Sequence, residues 1–177
     1  IELGQNQKAL EFLNKVSAKD PQDSFIQNSI AYAYLTLGDN SKALIHYQKL
    51  LKLDPDFPEI HKYLGYVHSK VENYGQAIEN LKKAIEKNSD DFESYYELGS
   101  IYTTLMKYND AVNNFQKVLA IENDYAPAHA SLGFIYGYLG QIKQAKESLK
   151  KAKELFKLQE NKTAIADIDE YLKELPQ

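Results

Sequence analysis

The sequence predicts an all-α solenoid of stacked helix pairs, and three observations predict it. First, alanine stands at positions 9, 43, 77, 111 and 145, 34 residues apart each time. Second, other ladders keep the same step: Ile30, Leu64, Leu98 and Leu132; Ala31, Gly65, Gly99 and Gly133; Tyr34, His68, Tyr102 and Tyr136. A further ladder runs through Leu13, Tyr47, Leu81, Phe115 and Leu149. Third, apolar residues inside each period recur at helical spacing. A constant period of this length marks repeats that bury their apolar faces by stacking on neighbours. Such a stack presents a long grooved surface rather than a closed catalytic pocket.

The elements follow in order. Residues 1–23 supply the end of an earlier repeat, and full repeats run over 24–57, 58–91, 92–125 and 126–159. Ile1 falls at repeat position 12, so the register expects about eleven preceding residues and reads the chain as a piece of a longer or processed protein. A helix around Ala9, Leu13 and Val16 is expected, its apolar side left open. In the third repeat, Tyr95, Leu98 and Tyr102 fall at i, i+3 and i+7, and Ala111, Phe115, Val118 and Leu119 form a second stripe. Helices are therefore predicted near 24–37, 41–53, 58–71, 75–87, 92–105, 109–121, 126–139 and 142–157. Gly38 and Gly140 stand where first helices end, and Pro21 and Pro55 close their repeats. The Gly/Ala ladders let paired helices approach closely. Over 160–177, Ile165, Ile168, Leu172 and Leu175 form one stripe opposite Asp167, Asp169, Glu170, Lys173 and Glu174. That pattern predicts an amphipathic capping helix.

Composition narrows the function. The 177 residues are 44% hydrophobic and 26% charged, with net charge −4 and the two signs intermixed. A nucleic-acid surface needs a clustered basic face, so no nucleic-acid partner is expected. No apolar run approaches the roughly 20 residues that span a bilayer, so no direct membrane insertion is expected. All 21 basic residues are lysine. Without arginine there is no guanidinium fork for carboxylate or phosphate. Without cysteine there are no disulfides and no thiolate chemistry, and the cellular compartment stays open.

The chemistry-bearing residues read as structural. His61 and His68 share a helical face, about 10–11 Å apart, too far for one metal ion. They and His129 are expected in the core, and His46 facing outward. The pairs Asp90–Asp91 and Asp54/Asp56 sit at repeat boundaries, where carboxylates start the next helix. Neither a glycine-rich phosphate loop nor a Gly-x-Ser-x-Gly turn occurs. No enzymatic activity, cofactor or metal is expected.

The third repeat carries Tyr95, Leu98, Gly99, Tyr102, Met106, Tyr108, Ala111, Phe115, Val118 and Asn123. The second carries His61, Leu64, Gly65, His68, Glu72, Tyr74, Ala77, Leu81, Ala84 and Ser89 at the same positions. This pattern resembles the tetratricopeptide repeat over about 160 residues without insertion. The resemblance implies one array, a right-handed superhelix of about four and a half repeats with a C-terminal cap. It also implies a concave groove lined by the first helix of each repeat, a site for a protein or peptide partner. Carried onto this chain, the partner-binding set is Asn28, Tyr32, Lys62, Tyr66, Lys70, Tyr96, Thr103, Phe134 and Tyr138. The family's clamp for acidic chaperone tails is not made in either register, and Glu93 and Glu97 would repel a carboxylate. The expected function is a non-catalytic interaction scaffold that binds through aromatic contacts. Two alternatives stand beside it: self-association through the first helix or the convex face, and a recruiting arm of a larger enzyme.

Overall fold

A computed structural model describes the backbone of residues 2–176 and the side chains of residues 7–176. The described residues form ten helices and no strand. They are α1 (Glu2–Ser17), α2 (Ser24–Thr36), α3 (Asn40–Leu53), α4 (Ile60–Lys70), α5 (Tyr74–Lys87), α6 (Phe92–Thr104), α7 (Tyr108–Ile121), α8 (Ala126–Tyr138), α9 (Ile142–Leu158) and α10 (Lys162–Glu174). None is long and apolar enough to cross a membrane. The helices gather into two compact halves, residues 1–89 and 90–177.

In the N-terminal half, α2 with α3 and α4 with α5 form helical hairpins. Ala31, Ala43, Tyr47, Leu50, Leu64 and Val67 form its core. The glycine ladder is a packing contact: a Cβ on Gly65 would come within 2.6 Å of Leu81 Cγ. On α1, Leu13 and Val16 are only half-buried, and Phe12 is 67% exposed. Their counterparts Tyr47 and Leu50 on α3 are fully buried.

In the C-terminal half, α6 pairs with α7 and α8 with α9, while α10 packs on α9. Ala111, Phe115, Val118, Leu132 and Ile135 make one cluster, and Leu149, Ala152, Phe156 and Ile168 another. A Cβ on Gly99 would come within 2.7 Å of the Phe115 ring, and one on Gly133 within 2.5 Å of Leu149. The cap is held by Ile168 in the core and by the Lys153–Asp169 ion pair.

Every first helix ends in the same turn. Gly38 donates to the Leu35 carbonyl and Asp39 to that of Tyr34, at 3.0 and 2.9 Å. The same two bonds recur at Glu72 and Asn73, at Met106 and Lys107, and at Gly140 and Gln141. This paired closure needs a left-handed residue at repeat position 15. Gly38 and Gly140 supply it at φ 78° and 72°, but Glu72 and Met106 adopt it as well, at 60° and 57°.

Helix α4 starts at Ile60, within a few residues of the expected 58, because Glu59 before it is left-handed at φ 58°. Two expectations need correction. Asp54 and Asp56 do not start the next helix: Asp54 ends α3 and accepts from its neighbour's backbone, Asp56 N–H, at 3.2 Å. Only Asp91 caps as expected, accepting from Ser94 N–H at 3.3 Å. His46 does not face outward. It is half-buried, donates from Nδ1 to Gln27 Oε1 at 3.0 Å and stacks on Tyr34. The acceptor role of Gln27 is set by its own amide, which donates to Ser17 and the Pro21 carbonyl. In the next repeat the same link runs from His61 Nδ1 to Asn80 Oδ1, also 3.0 Å.

Candidate functional site

In the N-terminal half, the candidate residues lie on α2 and α4. Asn28 and Tyr32 are four apart, as are Lys62, Tyr66 and Lys70, so each group shares one helical face. Tyr32 is 58% exposed and Tyr66 36%. The Lys70 ammonium lies 4.6 Å from the centre of the Tyr66 ring, a cation–π contact. Lys62 is mostly covered and pairs with Glu59, whose carboxylate also accepts from Tyr63 at 2.9 Å. The Lys62 hydrogen bond, more than that of Tyr63, holds the Glu59 carboxyl below the usual range. Asn28 is half-buried, and its side-chain oxygen is enclosed without a hydrogen-bond partner.

In the C-terminal half, Tyr96 and Thr103 lie on α6, Phe134 and Tyr138 on α8. Tyr138 is 68% exposed, and its ring lies 4.6 Å from that of Tyr108. The hydrogen bond between those hydroxyls raises the Tyr108 phenol. Thr103 donates its hydroxyl to the Gly99 carbonyl at 2.8 Å, satisfying itself within its own helix. Tyr96 does not stand in solvent. It is half-buried between Phe115 at 5.4 Å and Tyr125 at 5.3 Å. Burial, then the neighbouring Tyr96, Glu93 and Glu97, push the Tyr125 phenol up. Phe134 meets Tyr171 of α10 edge-on at 4.9 Å, and the Tyr171 hydroxyl donates to the Phe134 carbonyl at 3.3 Å.

A hollow of about 270 Å³ opens between these elements. Tyr96, Ala130 and Phe134 line it together with Phe156 of α9 and Asp167 and Ile168 of α10. The α10 contribution is absent from the sequence-derived set. Asp167 belongs to the stripe assigned to solvent, and Tyr171 was placed on neither face. The signal for Tyr171 is its place three residues after Ile168 and four before Leu175, which continues the apolar stripe. Among the described residues, no group of His, Asp and Glu could hold a metal ion.

Two family profiles match the chain. One, described as TPR repeat, covers residues 31–71 and 72–105; the other, described as tetratricopeptide repeat, covers 92–125 and 126–157. The chain belongs to the tetratricopeptide repeat family. This tetratricopeptide repeat protein is similar to the crystal structure of MamA, at 25% identity over 89% of this chain and 92% of that one, with a TM-score of 0.81. A MamA fragment from Desulfovibrio magneticus RS-1 shares 26% identity over 88% of each chain, also at 0.81. YrrB, described as a TPR protein with an unusual peptide-binding site, is 21% identical over 96% of this chain and 86% of its own, at 0.75. That last likeness shows the fold alone. Among curated proteins, no relative matches the sequence. Tetratricopeptide repeats bind protein or peptide partners and are typically non-catalytic, so the chain is a protein–protein interaction scaffold by family.

Proposed function

We propose that the chain binds a peptide or partner helix along the first-helix face of its repeats, without catalysis, through aromatic contacts rather than a charge clamp. The supporting observation is the exposure of Tyr32 on α2, Tyr66 on α4 and Tyr138 on α8, at 58%, 36% and 68%. Tyrosines exposed on rigid helices offer large contact area at little entropic cost, the usual make-up of an interface anchor. The test is titration of a partner recovered with the whole protein, at two salt concentrations, against Tyr32→Ala and Tyr66→Ala. Each change is expected to cost about 1–2 kcal/mol of affinity. Salt dependence is expected to be weak, because few exposed ion pairs carry the contact. Unchanged affinity in both variants would remove the face from consideration. Tyr96→Ala is a poorer probe, since its ring packs on Phe115 and Tyr125 and its loss also costs stability.

A further inference from the structure

We propose that the hollow among α6, α8, α9 and α10 seats one large apolar side chain of a peptide that carries a lysine or arginine beside it. The inference rests on the first-helix face being the binding side, and it adds the chemistry of the partner at one place there.

Size sets the kind of occupant. The hollow measures about 270 Å³. Pockets that enclose a whole small molecule run from roughly 300 to 1,000 Å³. One water takes only about 30 Å³. A single side chain therefore suits the space. A small residue lines it: repeat position 5 is Ala130 here, where the other full repeats carry Asn28, Lys62 and Tyr96.

The walls are apolar and already held in place. Tyr96 is fixed by Phe115 and Tyr125, Phe134 by Tyr171, and Ile168 is buried. Aromatic walls accept an aromatic or aliphatic group edge-on, and walls ordered beforehand lose little entropy on binding. Charge then chooses the neighbour. Among the described residues that line the hollow, Asp167 alone is charged, and it is exposed. A base next to the anchor gains from Asp167, and an acid there is repelled.

The test is selection from a random-peptide library on the whole chain. The enriched peptides are then titrated by fluorescence anisotropy against wild type, Ala130→Leu, Asp167→Lys and Tyr138→Ala. We expect an apolar anchor with a base within about three residues, the reach of neighbouring extended residues. Ala130→Leu fills the seat and should weaken these peptides about tenfold or more. Asp167→Lys should weaken them only a few-fold, as suits an exposed pair, and tighten the versions in which glutamate replaces the base. That exchange of preference cannot come from unfolding. Peptides without an apolar anchor, or affinities indifferent to both Ala130→Leu and Asp167→Lys, overturn the seat. If Tyr138→Ala alone weakens such peptides, the binding face stands without it; if it too has no effect, both fall. A selection that enriches nothing overturns the seat and leaves a folded or helical partner for the face.

Discussion

Met106 holds a backbone conformation that its side chain disfavours. Its φ of 57° matches Gly38 and Gly140 at the same repeat position, because two backbone hydrogen bonds close the turn whatever residue stands there. An L-residue held left-handed gives up roughly 1–2 kcal/mol, and glycine returns part of that as unfolded-state entropy. Met106→Gly is therefore expected to raise stability by about 0.5–1 kcal/mol, read as a higher denaturation midpoint. Gly99 carries the opposite constraint, with the Phe115 ring where a Cβ would go. Gly99→Leu should cost about 1–3 kcal/mol by overpacking, and Lys107→Ala at the exposed turn no more than about 0.5. These small-residue positions were legible because a ladder repeated four times averages out local noise. The burial of Tyr96 was not legible, because it depends on Tyr125 arriving from the next helix–helix connection. His68 gives a pH prediction. It is buried, with Nδ1 unpartnered, and burial lowers its pKa below the ordinary 6.5; burial does the same to His46. Between the folded and unfolded pKa values the unfolded chain binds more protons, so stability is full above about 6.5 and falls as pH drops through that window. His68→Tyr, the residue that three other repeats carry there, should flatten part of this slope in melts taken between neutral and mildly acid pH.

At the scale of elements, the second helices differ in how they begin. Asp39 caps α3 by accepting from Lys42 N–H at 3.1 Å. Lys107, at the same position before α7, forms no side-chain cap. Lys107→Asp should satisfy one open N–H and place a negative charge at the positive end of the helix dipole. A gain of about 1 kcal/mol is expected, measured by chemical denaturation. Helix existence was readable throughout from the 3.6-residue stripes, while starts were readable only where the cap residue was ordinary. Before α4, a left-handed Glu59 moved the start to Ile60, a backbone effect that periodicity does not register. The cap α10 was readable as amphipathic, yet its contribution to the hollow depends on where α8 and α9 place it.

At the scale of the whole molecule, the buried clusters of residues 90–177 draw all their members from that half. Repeat arrays derive stability from each repeat and its immediate neighbours. The segment 90–177 made alone is thus expected to keep its helical circular-dichroism signal and to melt cooperatively; a largely unstructured spectrum would refute this. The repeat family was legible because 34-residue spacing survives wide substitution, but the two-sided chemistry of the hollow was not, since Asp167 and Ala130 are 37 residues apart and in no shared ladder.

The hydrogen bond between repeat positions 4 and 23 carries one more lesson. Gln27 accepts from His46, and in the following repeat His61 donates to Asn80. Donor and acceptor have traded ends while the bond length is unchanged. Compared column by column, these two repeats look unrelated at both positions; compared as a couple, they are mirror versions of one solution. Kinship among the repeats of this chain is therefore understated by any comparison that treats sites as independent, and exchanging Gln27 and His46 together should cost less stability than either change by itself, because only the single change leaves a polar group without its partner.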